Sequence, residues 1–146
     1  TPGPAFPLAG TGRAPFTPAT GGTVLIADDE PAVLAAANLI LRRNGYQTIT
    51  ARDGKEAVQL FHENLGRIDA SLLDLTMPEL DGAEVLRAIR AVQPDARILV
   101  MSGYSEQDVM MRLQGLGEVS ILRKPFTHDA LLSRIAAVIG SRDRLS

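Results

Sequence analysis

From Thr23 onward, short apolar runs alternate with longer stretches in which apolar residues recur every three or four positions. Thr23–Ala27 is a short aliphatic run and predicts a first strand. Pro31–Asn44 places Val33, Ala36, Ala37, Ile40 and Leu41 at the spacing of one helix face. Pro31 suits the first helical turn, and Asn44-Gly45 predicts the stop. Gln47–Ala51 reads as a second strand. Asp53 is placed to cap a second helix, with Ala57, Val58, Leu60, Phe61 and Leu65 on its buried face and Gly66 at its end. Asp69–Leu73 predicts a third strand, and Met77–Gly82 a loop in which Asp81-Gly82 supplies turn chemistry. Ala83–Val92 predicts a third helix with Val85, Leu86 and Ile89 inward. Arg97–Met101 follows as a strand, Ser105–Gln114 as a shorter helix closed by Gly115, and Val119–Leu122 as the fifth strand. Thr127 is placed to cap a last helix reaching about Ile139, which Gly140 is expected to stop.

Strands alternating with helices predict an α/β fold with a parallel sheet covered on both faces. Continuously apolar strands agree with that burial. Right-handed crossovers leave few topologies, and the expected one is a flavodoxin-like, doubly wound (βα)5 arrangement with strand order 2-1-3-4-5.

Residues 1–22 break the pattern. Pro2, Pro4, Pro7, Pro15 and Pro18 interleave with Gly3, Gly10, Gly12, Gly21 and Gly22, which predicts a linker or tail. The expected division is therefore a linker over 1–22, one domain over 23–140 and a tail over 141–146. A start on Thr1 reads as a fragment of a longer polypeptide. The 146 residues suffice for one domain with a real core.

Composition narrows the chemistry. Net charge is -2 and no basic run occurs, so there is no electrostatic case for nucleic acid or for contact with an anionic membrane. With no cysteine, disulfides, thiolate catalysis and cysteine metal sites are excluded. No apolar stretch approaches the ~20 residues of a membrane-spanning helix. No glycine-rich phosphate loop follows a strand, so nucleotide binding has no support.

The charged residues fall at strand ends. Asp28, Asp29 and Glu30 follow the first strand, Asp74 ends the third, and Lys124 follows the fifth. In a doubly wound sheet these ends share one rim, where ligands bind beside the switch point between the first and third strands. Taken singly, an acid after a strand is more often a solvated loop residue or a helix cap. Glu30 also sits where a helix N-terminus favours negative charge. Taken together, Asp28, Asp29 and Asp74 repel one another and call for a hard divalent cation such as Mg²⁺. A carboxylate among them can act as a nucleophile toward phosphorus. Lys124 supplies a compact positive charge for a carboxylate or a phosphoryl oxygen, and Pro125 allows a cis bond that would aim it inward. Ser102 is either a turn serine or a hydroxyl donor to a bound phosphoryl oxygen. Met77, Met101, Met110 and Met111 read as packing residues. His62 and His128 lie on different helices and form no metal site.

Taken in order, Val24-Leu-Ile-Ala-Asp-Asp-Glu-Pro31, Leu72-Leu-Asp-Leu-Thr-Met-Pro78, Asp81-Gly82, Met101-Ser-Gly103 and Lys124-Pro-Phe126 make the chain resemble the receiver (response-regulator) domain of two-component signalling. The resemblance covers Gly22 to about Gly140. It implies that Asp74 is the phosphoacceptor, taking its group from a phosphohistidine of a histidine kinase or histidine phosphotransfer domain. It implies Mg²⁺ held by Asp28, Asp29, Asp74 and the backbone carbonyl of Thr76, with Lys124 and then Ser102 on the phosphoryl oxygens. Thr76 and Tyr104 occupy positions that tune water access, and Glu30 and Pro125, which adjoin the site, are expected to modulate it as well. The face built by the fourth helix, fifth strand and fifth helix would change on phosphorylation and could pair two copies. The aromatic that receivers often carry three positions before the lysine is Ile121 here, so an aromatic flip cannot occur at that position.

Resemblance in wording, together with the linker, further implies a cytoplasmic receiver attached at the C-terminus of a hybrid sensor histidine kinase. A stand-alone receiver, a degenerate receiver acting as an interaction module, and an aspartyl-phosphate hydrolase are the alternatives. The hydrolase pattern D-x-D is not met by Asp74-Leu75-Thr76, and no DNA-binding helix pair follows the receiver region in this chain.

Overall fold

A computed structural model describes residues 21–145 apart from Glu79, with the backbone alone for 141–145. The linker expected over 1–22 therefore lies almost wholly outside the described residues. The elements are β1 (Gly22–Ala27), α1 (Pro31–Arg43), β2 (Tyr46–Ala51), α2 (Gly54–Glu63), β3 (Ala70–Asp74), α3 (Gly82–Val92), β4 (Ile98–Ser102), α4 (Glu106–Arg112), β5 (Ser120–Arg123) and α5 (His128–Leu145). All strand pairs are parallel, in the order β2-β1-β3-β4-β5. The flavodoxin-like arrangement expected from the alternation is the one found.

Side chains alternate across the sheet as the strand period requires. Val24, Ile26, Leu72, Leu99, Met101 and Leu122 face α1 and α5, where Ala37, Leu41, Leu131 and Ile135 cover them. Leu25, Ala27, Leu73, Val100 and Ile121 face the other way, under α2, α3 and α4, where Phe61, Val85, Leu86, Ile89 and Val109 close the layer. Both faces of β3 and β4 are buried throughout.

Several local expectations shift. The buried face of α1 is Leu34, Ala37, Ile40 and Leu41; Ala36 is exposed, because the stripe enters the first turn one position later, at Leu34 rather than Val33. Helix α2 stops at Glu63, where the Asn64 side chain donates to the Leu60 carbonyl, and Leu65 turns out to solvent at 52% exposure. Asp81 does more than turn the chain. Its carboxylate accepts from the Glu84 amide at 2.9 Å while Glu84 accepts from the Asp81 amide at 3.0 Å, a capping box that fixes the start of α3. Met77 and Met101 pack in the core, but Met110 and Met111 are exposed on α4.

The stop expected at Gly140 is not made. Helix α5 runs through it to Leu145, so the backbone of 141–145 continues that helix. A glycine ends a helix by taking the left-handed conformation, which Gly45, Gly66 and Gly115 adopt and Gly140 does not. A helical glycine costs about 1 kcal/mol against alanine, too little to break a helix anchored by Leu131, Ile135 and Val138.

Candidate functional site

Register brings the acids together. Ala27 of β1 pairs with Leu73 of β3, so the next residue of each chain segment, Asp28 and Asp74, leaves the sheet side by side. On the other flank Asp74 pairs with Met101, and Ser102 pairs with Arg123. The Lys124 amide then donates to the Ser102 carbonyl at 2.8 Å, which delivers the lysine to the same rim. The Lys124–Pro125 peptide bond is cis.

Asp28, Asp29 and Asp74 each offer one carboxylate oxygen, and these oxygens lie within 4.8 Å of one another. Asp28 is fully buried and Asp74 nearly so, while Asp29 is exposed. The Lys124 ammonium sits 2.8 Å from Asp28 Oδ2, 3.2 Å from Asp74 Oδ1 and 3.3 Å from Glu30 Oε1. Asp28 Oδ1 accepts from the Glu30 amide at 2.8 Å. Asp28 Oδ2 meets Lys124 as an ion pair only, with no hydrogen bond of good geometry. Asp74 Oδ1 also receives the Thr76 amide at 3.5 Å.

Burial, and next the Asp28 carboxylate, push the Asp74 carboxyl up to about 7 against the pull of Lys124. Burial would lower the Lys124 ammonium, but contact with Asp28 and Asp74 outweighs it, and Lys124 is held above the ordinary lysine range. Negative charge at this rim is thus only partly compensated by protein groups. Hard oxygen donors within 4.8 Å of one another and a carboxyl pushed toward its neutral form are what a divalent cation would relieve. The acidic pocket is compatible with metal binding.

Ser102 is buried, and its Oγ accepts from the Tyr104 amide at 2.9 Å. Thr76, two residues after Asp74, and Tyr104, two residues after Ser102, are exposed on the loops that follow β3 and β4. The Arg112 guanidinium lies 5.4 Å from the Tyr104 ring centroid. Pro125 is exposed next to Lys124, and Ile121 is buried in the core under α4.

Two features escaped the sequence reading. Gly82 lies so close to β3 that an added Cβ would fall 2.5 Å from the Asp74 carbonyl oxygen and 2.7 Å from Leu75 Cα. The Asp-x-x-Glu spacing of Asp81 and Glu84 is the signal that places a helix start there. The Glu30–Lys124 contact joins residues 94 apart and has no local signal.

The rim belongs to a known class. The chain belongs to the response regulator receiver domain family, the match covering residues 24–136. It is 38% identical over 126 residues to the transcriptional regulatory protein PrrA of Mycobacterium tuberculosis, covering 86% of this chain and 53% of PrrA. It is 32% identical over 121 residues to the sensor kinase CckA of Brucella abortus, covering 83% of this chain and 13% of CckA. The chain thus spans about half the length of the first of these relatives and a small part of the second. Among solved structures, a response regulator receiver domain protein from Clostridium thermocellum superposes with a TM-score of 0.79 at 29% identity, covering 86% of this chain and 99% of that one. Family members work with histidine kinases or phosphotransfer proteins in two-component signalling. No helix among the described residues is long and apolar enough to cross a membrane.

Proposed function

We propose that this domain is the phosphoacceptor of a two-component phosphorelay, with Asp74 taking a phosphoryl group from the phosphohistidine of a histidine kinase or histidine phosphotransfer domain. The observation that carries this is the convergence of three carboxylates and one lysine at a single rim of the sheet. A purely solvated acid cluster would have no need to bury Asp28 and Asp74.

Asp28, Asp29 and Asp74, with the backbone carbonyl of Thr76, would hold Mg²⁺, which when bound supplies positive charge against the oxygens of the transferring group. An Asp74 carboxylate oxygen attacks phosphorus; the new O–P bond forms as the P–N bond breaks, and that electron pair leaves with the imidazole. Lys124 meets a phosphoryl oxygen as a point charge. Ser102 turns its hydroxyl to another oxygen, and its loop repacks toward α4. That change biases the face of α4, β5 and α5, the surface proposed for partner contact and for pairing of two copies. Thr76 and Tyr104 govern how readily water reaches the acyl phosphate. Similarity to CckA supports a place within a hybrid sensor kinase.

Intact-mass measurement after incubation with Mg²⁺ and acetyl phosphate tests this. One added phosphoryl group, absent in Asp74→Asn and absent without Mg²⁺, is the expected result. No added mass with acetyl phosphate or with a phosphorylated kinase, in a protein that also binds no Mg²⁺, would leave an interaction module instead.

A further inference from the structure

Lys124 has three N–H donors and three carboxylate neighbours. A phosphoryl group arriving at Asp74 brings new anionic oxygens to the same ammonium, where they compete with the partners already there. Asp28 is fully buried and cannot be re-solvated in place. Asp74 carries the new group. Glu30 is the remaining candidate, with its side chain 63% exposed and its Oε1 3.3 Å from Lys124 Nζ.

We propose that Glu30 is a displaceable counter-ion: its carboxylate occupies Lys124 in the unphosphorylated domain and yields that place to the phosphoryl group, slowing modification of Asp74. This rests on the phosphoacceptor reading of the same rim. Two parts of residue 30 act separately. Its amide orients Asp28 through the 2.8 Å bond to Oδ1, and any residue with an N–H preserves that. Its side chain makes no capping hydrogen bond to α1, so changing it leaves the start of that helix intact. Without Glu30 the lysine keeps Asp28 and Asp74 as partners and stays in position. What is lost is an anion at the mouth, which repels an anionic phosphodonor and competes for the ammonium.

Glu30→Gln removes the charge at equal length; Glu30→Asp keeps the charge but withdraws it by one methylene. Acetyl phosphate labelling of Asp74 is followed in Mg²⁺ at low and high salt, with the Lys124 ammonium ¹⁵N resonance as a direct probe. Both variants are expected to label faster, by about two- to fivefold as suits an exposed ion pair, with the gain shrinking as salt rises. The Lys124 resonance moves in both, and converges with wild type once beryllofluoride fills the phosphoryl position. An unmoved resonance, or equal labelling in all three proteins, overturns the proposal. Faster labelling in Glu30→Gln alone also overturns it, since that points to the general field rather than contact. A loss of Mg²⁺ affinity of about tenfold or more in Glu30→Gln overturns it too, by making Glu30 a metal ligand. If wild type takes no label from any donor, the phosphoacceptor reading itself fails, and the control shows this before any variant is compared.

Discussion

Lys124 lies closer to Asp28, at 2.8 Å, than to Asp74, at 3.2 Å. The lysine therefore serves the buried acid first and Asp74, the proposed acceptor, second. In the absence of metal it is the cation that makes the burial of Asp28 tolerable, because an unpaired buried carboxylate is far more costly than a paired one.

Lys124→Ala is accordingly expected to destabilise the metal-free domain by about 3–5 kcal/mol, the range for breaking a largely buried ion pair from one side. Mg²⁺ should recover part of that loss, so the rise in melting temperature on adding Mg²⁺ will be larger in the variant than in wild type. Thermal unfolding of both proteins in EDTA and in Mg²⁺ checks this. Equal Mg²⁺ increments would show that lysine and metal do not share the site.

The Asp74 carboxyl titrates near 7 in the folded domain and near 3.8 when unfolded. A folded value raised above the unfolded one contributes stability that is present below the unfolded value and is lost as pH rises through the folded value. Metal-free wild type should therefore lose stability relative to Asp74→Asn between about pH 4 and pH 8. Above that window the Asn variant is the more stable, by at most about 4 kcal/mol. Urea titrations in EDTA across this range read the difference directly, and parallel profiles would refute it.

Gly82→Ala places a methyl against the backbone at Asp74 and Leu75. Neither side can yield without moving the start of α3 or the end of β3. The expected cost is about 1–3 kcal/mol, as for overpacking elsewhere, together with slower labelling of Asp74. A Gly82→Ala protein with wild-type urea midpoint and wild-type labelling would show that the contact relaxes freely.

Gly140→Ala should act in the opposite sense. A Cβ there meets nothing within 4 Å, and the residue lies inside α5. The gain expected is about 0.5–1 kcal/mol from lower backbone entropy in the unfolded chain and better helix propensity. Destabilisation would indicate a backbone conformation at 140 that only glycine holds.

Tyr104→Ala removes an exposed ring that Arg112 covers. Stability should change by no more than about 1 kcal/mol, the worth of an exposed cation–π contact. On the proposed role of Tyr104 in limiting water access, the acyl phosphate should decay several-fold faster. Matched half-lives for Tyr104→Ala and for Thr76→Ala against wild type would remove both residues from control of the lifetime.

The sheet order was legible because a buried parallel strand leaves a short, continuous apolar run, and five such runs separated by helical periods admit few topologies. Asp28 and Asp74 were legible as a pair for the same reason: adjacent parallel strands end together. What was not legible depended on geometry that a period does not encode. Leu65 keeps the helical spacing but falls past the Asn64 cap, so its phase no longer points inward. Met110 and Met111 are apolar by type yet exposed, because α4 rests on the sheet through Val109 and is only seven residues long. Gly140 carries the residue type of a stop without the dihedral angle of one. Glu30 and Lys124 share a rim that the topology predicts, but their 3.3 Å contact depends on side-chain placement that no period encodes.

The Tyr104 amide leans on the Ser102 hydroxyl oxygen at 2.9 Å. A serine that rotates away to greet a new anion would strand that amide, and a stranded donor is costly enough to pull its neighbours after it. The segment 103–105 holds the Ser105 cap of α4, whose hydroxyl accepts from the Asp108 amide at 3.1 Å. One side-chain torsion at Ser102 would thus be passed, through two residues of backbone, to the footing of an entire helix.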